Sequence, residues 1–262
     1  MFQHLSRLLL ATALLLGSLP AHAAISDAEA VNRAGMQRML SQRIAKSYLM
    51  IGTETRAELA IKQLDLSVAT LEENTQLLAE YAPTPAIRAA LNEAQETWQH
   101  FREAALSSPS KSGSLETLRL SDTFLAQSEK LVGLIEQHSG SQVAGLVNRS
   151  GRQRMLSQRI AKLYLALSWR LPDDRLHNDF QTAVKEFDTG LQTLRQALQN
   201  TPEINQELER IATQWRFAQA GFSLADDSRY VPTVIVTTTE TLLWKFDALT
   251  QRYERLAQSN KP

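Results

Sequence analysis

The chain has 262 residues, no cysteine, and 28 basic against 28 acidic side chains, so its net charge at pH 7 is zero. That length suits one or two domains with a sizeable core. The lack of cysteine excludes a disulfide framework and a thiolate metal site, and the charge balance argues against a general nucleic-acid binder.

Residues 1–23 read as a signal peptide: Arg7 is a small positive region, residues 8–17 an apolar run, and Ala21-His22-Ala23 a small-x-small cleavage site. The mature chain is expected to start near Ala24 and to be exported to the periplasm as a soluble protein; no later segment approaches the length of a membrane span. The rest is predicted to be all-α, with sparse glycine and proline and abundant Ala, Leu, Gln, Glu and Arg. A first helix runs from Asp27, capped by Ser26 or Asp27, to about Met50. A second spans about 55–81 and a third about 85–106, divided by Pro83 and Pro85. A fourth covers about 115–137. His138-Ser139-Gly140-Ser141 is the expected boundary between a first unit (24–140) and a second (141–262).

The second unit repeats the plan. A helix is expected over about 142–170, and the next starts at Pro172-Asp173-Asp174 and ends near Asn200. A third carries Ile204, Leu208 and Trp215, matching Ile87, Leu91 and Trp98 at an offset of 117. The last, about 233–258, pairs Leu242 with Leu125; its β-branched opening, 234–239, is read as helix only because of the repeat. Short connections favour antiparallel four-helix bundles, duplicated.

One segment is far more alike between the units than the rest. Residues 32–49, NRAGMQRMLSQRIAKSYL, and 148–165, NRSGRQRMLSQRIAKLYL, differ at three of 18 positions. On a helical wheel with Gly35 at zero, Gln42 and Lys46 fall within about 20°, and Arg38 and Asn32 lie at about −60° and +60°. Leu40, Ile44 and Ile51 lie opposite, at about 140–180°. Each motif helix therefore has an apolar face and a polar strip centred on a glycine. Glycine costs roughly 1 kcal/mol in a helix interior but lets a partner approach the backbone closely.

No acidic residue occurs between Ala30 and Thr53 or between Gln137 and Pro172, while Arg33, Arg38, Arg43, Lys46, Arg149, Arg152, Arg154, Arg159, Lys162 and Arg170 do. Two readings of the basic strip stand side by side. It is a solvated face, or one paired with acids such as Glu72, Glu73, Glu93 or Glu96; or it meets its twin, with an anion between the guanidiniums.

The pattern Asn32, Ala34, Gly35, Arg38, Met39, Ser41, Arg43, repeated as Asn148, Ser150, Gly151, Arg154, Met155, Ser157, Arg159, resembles the P-box of nitrate/nitrite sensor kinases. It is also similar to the PilJ-type N-terminal domain of chemotaxis transducers. The resemblance implies a dimerising four-helix bundle whose P-box arginines grip nitrate or nitrite between first helices. Carried over, Arg38 and Arg154 are the anion-gripping pair and Gly35 and Gly151 permit close approach. Asn32, Asn148, Ser41, Ser157, Arg43 and Arg159 support the interface. Two P-boxes in one chain can build the two-fold site internally, or the motif can lie at a dimer interface.

The expected function is a periplasmic oxyanion sensor that reports to a membrane-bound sensor kinase or chemotaxis transducer, with a homodimer as a further partner. The alternative is a helical interaction module that docks an acidic partner or self-associates. No cofactor or metal is expected, because His100, His138 and His177 lie far apart. No enzyme is expected either: no Ser-His-Asp arrangement stands out, and Asp173-Asp174 and Asp226-Asp227 sit where acids cap helices.

Overall fold

Local signals set the helix ends. A computed structural model describes residues 25–140, 142–226 and 229–259; the expected signal peptide, Ser141 of the expected boundary and Asp227 lie outside them. Among the described residues there are eight helices and no strand: α1 (Asp27–Gly52), α2 (Ala57–Tyr81), α3 (Pro85–Leu106), α4 (Lys111–Ser139), α5 (Gln142–Ser168), α6 (Leu176–Arg195), α7 (Pro202–Asp226) and α8 (Pro232–Ser259). Ser26 and Thr84 cap α1 and α3 by accepting from the amides of Glu29 and Ile87, each at 3.2 Å. Gly140, at φ 62°, ends α4 in the left-handed conformation that glycine adopts without strain.

Three boundaries differ from expectation, each for a local reason. Helix α4 starts at Lys111 rather than near 115, because Ser110 accepts from the Gly113 amide at 3.0 Å and the Ser/Gly stretch becomes its first turn. Helix α6 starts at Leu176, since Asp173 Oδ1 instead accepts from the Arg175 amide in a turn. It stops at Arg195, where Asn200 Nδ2 caps the Leu194 carbonyl at 2.8 Å. The β-branched stretch 234–239 is helical, held between buried Ile235, Val236 and Thr239.

Helix α1 packs on α2 and α4, and α3 closes the ring; α5, α6, α7 and α8 repeat the arrangement. The two bundles join along α1 and α5, with α4 and α8 flanking that seam, and one apolar core runs through both. Its aromatic centres are built on the twin tryptophans: Trp98 packs edge-on to Phe101 at 5.8 Å in the first half, and Trp215 lies 4.1 Å from Phe187 in the second. Tyr48 and Tyr164 are motif twins that pin the chain leading into the fourth helix of their own half, through the Ser110 and Val231 amides respectively. No helix among the described residues is long and apolar enough to cross a membrane.

Candidate functional site

The strip centred on glycine is the seam between the bundles. Asn32 and Arg38 meet Arg154 and Asn148 at the level of the glycines, and Lys46 meets Gln158 further along both helices. Helices α1 and α5 therefore run parallel and in register, each motif against its own copy. Both faces of these helices are buried: Leu40 and Ile44 in the bundle core, and Arg38, Gln42, Lys46 and their twins Arg154, Gln158 and Lys162 in the seam.

At the glycine level the two guanidiniums converge. A Cβ built on Gly35 would lie 3.1 Å from Arg38 Nη2 and 3.8 Å from Arg154 Nη2, and one on Gly151 would lie 3.4 Å from each. Each arginine reaches across the seam. Arg38 Nη2 donates to Asn148 Oδ1 at 2.9 Å, and Arg154 Nη2 to Asn32 Oδ1 at 2.6 Å. Their Nη1 groups are held by Glu129 on α4 and Asp247 on α8. Both side chains are buried, 1% and 0% exposed, yet both Nε atoms lack a hydrogen-bond partner among the described residues. Burial, then the charges of Arg152 and Arg154, pull the Arg38 guanidinium down to about 9, so it is still charged at neutral pH. Burial lowers Arg154 as well, opposed by Asp247.

Ser41 and Ser157 do not face the arginine tips. Their hydroxyls donate to the carbonyls of Arg38 and Arg154 one turn back and accept from Gln42 and Gln158 Nε2. Arg43 and Arg159 lie further along, on Glu240 and Asp122. Those carboxylates also hold the fully buried Lys46 and Lys162, each at 2.8 Å. Burial depresses both lysines to about 8, with Glu240 and Asp122 working against it.

The acids that match the basic strip are not those expected. Glu72 binds Arg102 and Glu93 binds Lys130, both away from the seam. The partners are Asp122, Glu129 and Glu136 on α4 and Glu240, Asp247 and Glu254 on α8, spaced seven residues apart and thus along one helix face. Glu136 accepts from Asn148 Nδ2, and Glu254 from Asn32 Nδ2 at 2.8 Å. The ladders match at an offset of 118, which corrects the expected pairing of Leu242 with Leu125 by one residue: Leu242 and Phe124 share the same buried position. Asp122 and Glu136 bind the motif of the opposite half, as do Glu240 and Glu254. Each fourth helix thus clamps both bundles together. The repeated heptad of acids is readable in the sequence, but the cations it meets are not, because they lie on other helices.

The two halves differ at the Met36/Arg152 position. Arg152 binds Glu129 and Glu186, whereas its twin Met36 receives a weak bond from Asn74 Nδ2 at 3.2 Å.

A protein-family model described as the N-terminal domain of type IV pili methyl-accepting chemotaxis transducers, PilJ, matches the chain twice, over residues 22–124 and 137–234. These matches cover more than half of the chain, which belongs to the PilJ family in tandem duplicate. That domain is a sensing module rather than a catalytic one, and it ties the chain to transducer signalling. No curated protein and no solved structure matches the chain.

Proposed function

We propose that this duplicated PilJ-family chain is an exported, periplasmic sensor for a small oxyanion, nitrate or nitrite, bound between Arg38 and Arg154 and reported to a membrane-bound kinase or transducer. One observation carries the reading: two buried guanidiniums converge over paired glycines with their Nε–H groups unpartnered among the described residues. Buried donors without acceptors cost free energy, and like charges at close range add to that cost. A flat anion that accepts from the Nε–H and Nη2–H edge of each guanidinium relieves both. Glu129 and Asp247 already occupy the Nη1 edges, so those carboxylates orient the arginines rather than fill the site.

The alternative, a basic face that docks an acidic partner, loses its surface, because Arg38, Arg154, Lys46 and Lys162 are buried in the seam. The test is calorimetric titration of the chain without residues 1–23 against nitrate, nitrite, sulfate and chloride. One nitrate or nitrite per chain is expected, since the two motifs face each other within one polypeptide. Saturation at one anion per two chains would move the site to a dimer interface, and no binding of any anion would remove it.

A further inference from the structure

An anion that binds between Arg38 and Arg154 needs a way in, because both are buried. The asymmetry at Arg152 marks a route. A cleft of about 330 Å³ lies between α4, α5 and α6, with Glu129, Arg152, Met155 and Arg159 in its walls. It adjoins a second cleft of about 480 Å³ between α5 and α6, lined by Arg149, Arg152 and Lys185. Arg152 and Glu186 line both. From there a chain of ion pairs leads inward: Glu186 to Arg152, Arg152 to Glu129, Glu129 to Arg38. Side-chain exposure falls along it from 43% through 41% and 32% to 1%.

The outer cleft is cationic. Arg149 and Lys185 have no ion pair among the described residues, and Glu186 is the one acid in the lining, already bound to Arg152. Among the described residues the other half differs. Arg33, the twin of Arg149, is consumed by Glu29 and Asn74, and Met36 replaces Arg152, which cuts the chain of charges.

We propose that the α5/α6 groove is the outer collecting site for the anion, and that Arg152 is the gate. Arg149 and Lys185 raise the local anion concentration, as a cleft lined by one sign of charge does. The anion then takes Glu129's place on Arg152, and Glu129 swings aside to open the way to Arg38. Arg152 thus governs how fast the site fills rather than how tightly it holds. This rests on the oxyanion reading above.

The experiment follows the arginine Nε–H resonances of the chain without residues 1–23 during a sodium nitrate titration, where line shapes yield association and dissociation rates. Calorimetry supplies the affinity. Arg152→Met, which copies the other half, is expected to slow association and dissociation together, roughly tenfold, with affinity little changed. Arg149→Gln with Lys185→Gln is expected to slow association and flatten its dependence on ionic strength. Arg33→Gln, at the twin position, leaves association unchanged. Unaltered association in the groove variants, with nitrate still bound, overturns the route and leaves the oxyanion site standing. A faster dissociation alone in Arg152→Met makes Arg152 a direct ligand and overturns the gate. No nitrate binding by the unsubstituted chain overturns both readings.

Discussion

Arg38 on α1 donates to Asn148 on α5, and the same two motif positions taken from opposite copies, Arg154 and Asn32, make the same bond. The repeated sequence is therefore one surface that recognises itself. A self-complementary surface pairs about a two-fold axis, and duplication places both halves of that symmetry in a single chain. The arginines that converge there are aimed by two bonds, to the opposite asparagine and to a carboxylate on a fourth helix, and the glycine leaves them room.

Arg38→Ala and Arg154→Ala are each expected to weaken nitrate binding by ~1.5–3 kcal/mol, the loss of a charged hydrogen bond, or roughly ten- to a hundredfold in Kd. Arg→Lys also impairs binding, because an ammonium cannot offer a paired planar edge. Calorimetry of the folded variants is the check, and equal affinities in the double variant and the unsubstituted chain would refute the assignment.

Gly35→Ala separates stability from binding. The new methyl sits 3.1 Å from Arg38 Nη2, so the guanidinium must shift by a few tenths of an ångström, while alanine favours the helix by roughly 1 kcal/mol. Thermal stability is expected to stay within about 1 kcal/mol of the original, while nitrate affinity falls. Gly151→Ala, with 3.4 Å of clearance, should show the smaller loss. A denaturant titration beside calorimetry distinguishes the two effects.

The buried lysines make stability rise with alkaline pH. Lys46 and Lys162 fall from 10.5 to about 8 on folding, so between these values the unfolded chain binds more protons than the folded one. Their contribution is therefore fully present above 10.5 and lost as pH falls to about 8. Each lysine is worth on the order of 3 kcal/mol across that range. Burial raises Tyr81 and Tyr253, which lowers stability above about 10, and the lowered Arg38 adds to the rise above about 9, so the window for the lysines alone is pH 8 to 9. Urea unfolding over this window should show a positive slope that shrinks in Lys46→Met and Lys162→Met. In each, Arg43 or Arg159 still holds the carboxylate.

Residues 25–140 alone are expected to dimerise. Without α5, the polar seam of α1 faces water, but a second copy offers the same motif, and its Asp122 and Glu129 stand where Glu240 and Asp247 do. Sedimentation should show a helical dimer that dissociates in Arg38→Ala. A folded monomer would count against self-recognition by the motif.

Helix identity, the duplication and the glycine-centred strip were legible because each depends on short-range periodicity, caps and turn residues. The boundaries that slipped, at Lys111, Leu176 and Arg195, were decided by single side chains capping one turn. The acids Glu129, Asp247 and their ladder neighbours escaped for a different reason: their spacing was visible, but their partners were not.

The amino-acid order thus determined by itself that the chain folds as two like helical units, and that one polar surface in each was kept nearly unchanged. Tertiary structure alone decided that the two surfaces meet in parallel within one chain, which acids hold which arginines, and that Arg152 joins the surface clefts to Glu129. Many of those pairings join residues far apart in the chain, 91 positions for Arg38–Glu129 and 222 for Asn32–Glu254. Salt and water screen the attraction between exposed charges beyond about 10 Å. That attraction selects partners only after apolar packing has brought the helices together.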